Sequence, residues 1–177
     1  MSDSSNDPGY DGEVTPARTK IASHRPPPAA PEWALHAWAE YKAGSQNLDA
    51  AARVQRYTQA TTNPAASTDE TPWASAFACW CMEHSGVRST RSAVARSWMS
   101  WGIPLPFVDP PYGAVAVLWR GSPVADSGHV GFFVGYEKSE VWLLGGNQHH
   151  TVSLAKYPRT RPLGYRWPLT ENTSPVE

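Results

Sequence analysis

The feature that most constrains this chain is a change of hydrophobic period near its middle. From Pro31 to residue 102 apolar residues recur mostly at helical spacing, whereas past the proline-rich stretch 104–111 they fall in short runs rich in Val, Phe and Trp. A helix repeats its buried face about every 3.6 residues and a strand every second residue, so one pattern cannot serve as the other. Runs at 114–119, 129–136, 141–144, 151–155 and 163–167 are separated by Gly, Pro, Asp or Ser. Those gaps are too short for βαβ crossovers, which need a dozen or more residues, so the runs predict an antiparallel meander. Helices first and sheet second define an α+β fold, and 177 residues suffice for one ordinary domain.

Within the first half, Trp33, Leu35, Trp38 and Tyr41 mark a helix that begins near Pro31 and stops at Gly44. Residues 48–59 form a second, with Ala51, Val54 and Tyr57 toward the core. The strongest helix start is Asp69-Glu70-Thr71-Pro72-Trp73-Ala74. The Thr71 hydroxyl suits the N-cap, and Pro72 suits the first helical position, where no amide is needed. Trp73, Phe77, Trp80 and Cys81 then make one stripe, which Gly86 ends. A short helix is expected over 91–101, capped by Gly102. Residues 1–30, rich in Ser, Asp, Pro and Gly and closing on Arg25-Pro26-Pro27-Pro28, read as a disordered or extended arm. Residues 31–170 are then the folded domain and 171–177 a tail.

Composition excludes several classes of function. A formal net charge of −1 gives no electrostatic footprint for nucleic acid or an anionic membrane. No apolar run approaches the roughly 20 residues that span a bilayer. The acidic start MSDSSNDPGYDGE has neither the basic nor the apolar region of a secretory signal. Cys79 and Cys81, two apart on a helix, point to different sides and are expected as buried, reduced thiols. The adjacent His149 and His150 would face opposite ways on a strand and are poor joint metal ligands. Nine tryptophans supply core volume, and aromatics of this kind also line sugar- and peptide-binding grooves.

Three segments carry chemistry. The helix start at Thr71–Ala74 offers unpaired amides that stabilise an anion and lower the pKa of a cysteine placed there. In Ser127-Gly128-His129-Val130-Gly131 a histidine opens an apolar strand between glycines that let a substrate backbone approach. Gly145-Gly146-Asn147-Gln148, just after the next strand, carries amide side chains able to fix an imidazole. A nucleophile on a helix, a histidine on a strand and a polar orienter form a constellation for acyl transfer.

Here the strings become specific. Thr71-Pro72-Trp73-Ala74-Ser75-Ala76-Phe77 with Trp80-Cys81 resembles the P-W-C-[SA]-A-F helix of CHAP and NlpC-type papain-like peptidoglycan hydrolases, in the single-domain amidase or endopeptidase branch. The resemblance continues through Ala95-Arg96-Ser97-Trp98, Val117–Ser122, Gly128–Phe132, Leu144–Gln148 and Leu163–Pro168, covering about residues 31–168. It implies a papain-like fold, with helices packed on a five- or six-stranded antiparallel sheet. It also implies cleavage of amide bonds in wall stem peptides, with His129 as base and acid and Asn147 as orienter (Gln148 as substitute). Amides near residues 74 and 75 would hold the oxyanion, and Trp73, Ser75, Tyr112, Trp119 and Gly128 would line the groove. No metal or organic cofactor is implied.

The departure is one residue. Ala74 stands where the family has its cysteine, and a methyl group cannot attack a carbonyl. Cys81 shares that face roughly 10 Å along the helix, and Cys79 points elsewhere, so neither can substitute. Ala74 reads as an engineered Cys→Ala replacement or as the mark of a natural pseudoenzyme that keeps the groove as a peptidoglycan- or protein-binding module. The expected setting is synthesis in the cytoplasm and delivery to the wall or periplasm by a secretion system or phage lysis. An antibacterial effector of this kind would have an immunity protein occluding its groove.

Overall fold

The computed structural model describes residues 25–44, 50–62 and 73–169. The helix start at Thr71-Pro72, the tail 171–177 and all of the N-terminal arm before Arg25 lie outside them. The chain is α+β. Helices α1 (Glu32–Gly44), α2 (Ala50–Thr58) and α3 (Ala74–His84) and a 3₁₀ helix, Ala95–Ser100, precede the sheet. Strands β1 (Ile103–Leu105), β2 (Val115–Trp119), β3 (Gly128–Glu137), β4 (Glu140–Gln148), β5 (Thr151–Pro158) and β6 (Pro162–Trp167) follow.

The expected helical faces are found with local corrections. Trp33, Trp38, Val54, Tyr57, Phe77 and Cys81 are buried, but Leu35 is 45% exposed and Ala51 also faces solvent. The segment 91–101 folds only as a 3₁₀ turn. The sheet is fully antiparallel in the order β1-β6-β2-β3-β4-β5, so β2–β5 form the expected meander and β6 returns beside β2. β1 arises inside the proline-rich stretch, with Pro104 on an edge strand where a missing amide is tolerated.

Chain length forces the sheet to roll. β5 and β6 lie four strand positions apart, about 19 Å if the sheet were flat. The link between Pro158 and Pro162 reaches about 14 Å fully extended. The sheet therefore curls, bringing the end of β5 toward β2 and β6. The outer face carries the helices: Val115, Val117, Val130, Phe132 and Leu144 pack with Trp33, Trp38, Tyr57 and Phe77. The inner face encloses a second core of Ala114, Ala116, Leu118, Phe133, Tyr136, Val141, Leu143 and Tyr165. Trp119 Nε1 donates to Thr160 O at 3.2 Å, and the Arg161 guanidinium donates to Trp119 O at 2.7 and 2.9 Å, tying the β5–β6 link to the end of β2.

Candidate functional site

The candidate nucleophile seat is the start of α3. Ala74 is its first residue and is 5% exposed, while Trp73 occupies the cap position and makes no side-chain cap bond. The amides of residues 74–76 thus have no acceptor within the helix. A Cβ on Gly146 would fall 2.6 Å from atoms of Phe77 and Trp73, so α3 rests directly on the backbone of β4. Trp73 stacks on Tyr57 and is core rather than groove. Ser75 is also buried, and its hydroxyl donates to Ser92 O at 2.6 Å and accepts from Trp98 Nε1 at 2.9 Å. Both cysteines are free and fully buried, and burial above all pushes the Cys81 thiol well above the usual range. They are packing groups.

The histidine half of the constellation is more complete. β2–β3 pairing sets His129 opposite Leu118 of the inner core, so its ring enters the roll at the first turn of β3. His129 is 2% exposed and its Nε2 lies 3.1 Å from Gln148 Oε1. Gln148 Nε2 donates to Leu143 O and Ser153 O, and Oε1 also accepts from Tyr157 OH at 3.0 Å. With both amide hydrogens held by carbonyls, Oε1 must be an acceptor, so Nε2 of His129 is the protonated nitrogen. Burial pushes the imidazole down to about 4; the Gln148 bond partly opposes this, and Arg120 and Arg161 add to it. At neutral pH His129 is therefore neutral, with its lone pair on Nδ1.

The expected orienter, Asn147, does not hold the imidazole. A register shift lies between Gly145 and Gln148, inside β4 rather than beyond it, and Asn147 has a φ of 56°. The bulge turns Gln148 inward instead. Sequence reasoning had no means of choosing between adjacent amides, because a bulge swaps which one faces the core. The hairpin closes on His149 and His150, with φ of 55° and 61°. Among the described residues no group of three or more metal-ligating side chains is found.

The remaining candidates scatter. Tyr112 accepts from Trp38 Nε1 and packs against the helix-side core. A Cβ on Gly128 would meet Leu118 O at 3.0 Å and the side chains of Arg96 and Ala95, so its need is close packing. Trp119 is half-buried at the seam of the roll beneath Arg161, 4.7 Å away. Ala74 and His129 stand at the same end of the sheet, since Gly146 touches α3 while neighbouring Gly145 lies against Gln148. They are on opposite faces of the β3–β4 pair, Ala74 with the helix-side core and His129 inward. Tyr157, which shares Gln148 with His129, was missed because an alternating Lys-Tyr-Pro strand end carries no motif.

No protein-family model matches the sequence, and no curated protein matches it significantly.

Proposed function

We propose that this chain is a papain-like peptidoglycan hydrolase of the Cys–His type without its nucleophile, and that it holds wall stem peptides without cutting them. The observation that carries the reading is the fixed imidazole. His129 has its Nε2–H held by Gln148 and its Nδ1 lone pair unclaimed by any described residue, the form in which a histidine accepts a proton from a thiol. At the same end of the sheet, α3 opens with amides that have no acceptor within the helix, at the position where the resembling hydrolases carry cysteine. Their motif strings, spread over residues 31–168, support the substrate class. No helix among the described residues is long and apolar enough to cross a membrane. Delivery to the wall by a secretion system or phage lysis, and an immunity protein covering the groove, belong to the same proposal.

A second reading has its own support. Ala74 and His129 are separated by the β3–β4 layer, so a sulfur at residue 74 reaches Nδ1 only round the end of the sheet. This favours a binding module whose machinery no longer closes. One experiment separates the two. Purified sacculi are incubated with the chain and with Ala74→Cys, and both the pellet and the released fragments are analysed. Pelleting of both forms, with fragments from the cysteine form only, supports the hydrolase reading. Pelleting without fragments from either leaves the binding module, and absence from the pellet sinks both.

A further inference from the structure

The seam of the rolled sheet holds a cleft of about 520 Å³ that borders the His129 nest through Gln148 and Tyr157 and extends beyond it to Arg120 and Trp142. Arg120, Asn147, Gln148 and Tyr157 line it on the polar side, Trp142 and Leu154 on the apolar side. Arg120 is exposed, and no ion pair among the described residues reaches it or Arg161. Arg161 spends Nε and Nη2 on the carbonyl of Trp119 and lies 5.6 Å from the Tyr157 ring, beside the same cleft. Lys156 is neutralised by Glu137 and Glu140, at 2.8 and 3.6 Å. The uncompensated positive charge is therefore concentrated at the Arg120 side.

The shape next to that charge is equally specific. β5 is the last strand of the sheet and pairs only with β4, so along its outer edge half the backbone groups lack a strand partner among the described residues. Such an edge accepts an extended peptide as an added strand, with affinity from backbone bonds and specificity from flanking side chains. Inorganic phosphate uses the cation and leaves the edge and the apolar wall idle. A peptide ending in a free carboxylate uses all three.

We propose that this seam binds the carboxyl-terminal end of an extended peptide, with Arg120 pairing its terminal carboxylate and the β5 edge aligning its backbone. The inference rests on the wall-peptide reading and sharpens it: the stem peptide would be gripped by its free end rather than at mid-chain. Guanidinium–carboxylate pairs are charge-assisted and directional, so losing the ligand's charge should weaken binding about tenfold.

The test uses the full chain and two synthetic tetrapeptides of stem-peptide sequence, identical except that one ends in a carboxylate and the other in a carboxamide. Affinities are measured by calorimetry for the wild type, Arg120→Gln and Arg120→Lys, with inorganic phosphate as a third titrant. Because Arg120 is exposed, its variants should fold, and a melting curve checks this. Tighter binding of the carboxylate form in the wild type, erased in Arg120→Gln and partly kept in Arg120→Lys, supports the assignment. Equal affinity for the two peptides, no binding of either, or an Arg120-dependent response to phosphate alone overturns it. If the peptides fail while sacculi still bring the chain down, only this inference falls; if neither binds, the wall reading falls with it.

Discussion

Two buried polar nests sit on opposite sides of the sheet, and they are built on the same plan to different ends. On the helix side, Glu40 Oε2 receives Arg53 through Nε at 3.1 Å and Nη2 at 2.8 Å, the Tyr57 hydroxyl, and Arg56 at 3.5 Å. Inside the roll, Gln148 Oε1 receives His129 and the Tyr157 hydroxyl. Each is a single oxygen gathering donors, one of them a tyrosine. The first is ionic and closed: a buried carboxylate with a buried guanidinium, clamping α1 to α2. The second is neutral and leaves one ring nitrogen, Nδ1, without a partner among the described residues. The first nest ties two helices together, whereas under the proposed function the lone pair left over in the second is the proton acceptor.

The comparison is tested most severely at the ionic nest. Removing one member of a buried ion pair strands the other charge, at a cost of about 3–5 kcal/mol. Glu40→Ala leaves Arg53, 8% exposed, without its carboxylate. Chemical denaturation should show a loss in that range, with the sheet-side nest unaffected. A loss below about 1 kcal/mol would mean that water or another acceptor reaches Arg53, and that the nest is not a clamp.

The neutral nest is tested by pH. His129 titrates near 6.5 in the unfolded chain and is pushed down to about 4 when folded. Between those values the unfolded state binds the extra proton, so acidification favours unfolding. The stabilisation due to its neutral form is complete above about 6.5 and is lost as pH falls toward 4. Two and a half units correspond to about 3 kcal/mol. Unfolding free energies measured from pH 7 to pH 4 should fall by that order, and His129→Gln should flatten the slope in this window. An unchanged slope in the variant would show that the imidazole is not held neutral.

How much of this was legible in the sequence depends on the range of the signal. The order of elements was, because a change of period is local: α2 and the five long strands fall where apolar spacing puts them. The α3 stripe was legible too, through Trp73, Phe77 and Cys81. Its expected start, Thr71-Pro72, lies outside the described residues, among which the helix begins at Ala74. His129 was legible from its glycines, but the identity of its partner was not. A one-residue register shift exchanges Asn147 for Gln148, and no local pattern reports it. The face on which His129 lies was hidden for a different reason. It depends on the roll of the sheet, which follows from the short β5–β6 link only once the strand order is known.

The smallest effect bears on the bulge that builds the neutral nest. Asn147, His149 and His150 all hold positive φ within four residues, and for the two histidines this is the left-handed pair of a two-residue hairpin turn. Such a turn favours Asn-Gly, because a branched or bulky side chain is crowded there. Replacing His149→Asn and His150→Gly relieves the crowding and should stabilise the fold by about 1 kcal/mol, read as a higher melting temperature. The His129–Gln148 contact should survive, because the two-residue loop is kept and with it the register that turns Gln148 inward. If melting rises while the pH slope assigned to His129 disappears, the histidines themselves set that register and the bulge is not independent of its turn. If both melting and slope stay as they were, the backbone at 149–150 carries no strain, and Asn147 becomes the residue whose conformation fixes the nest.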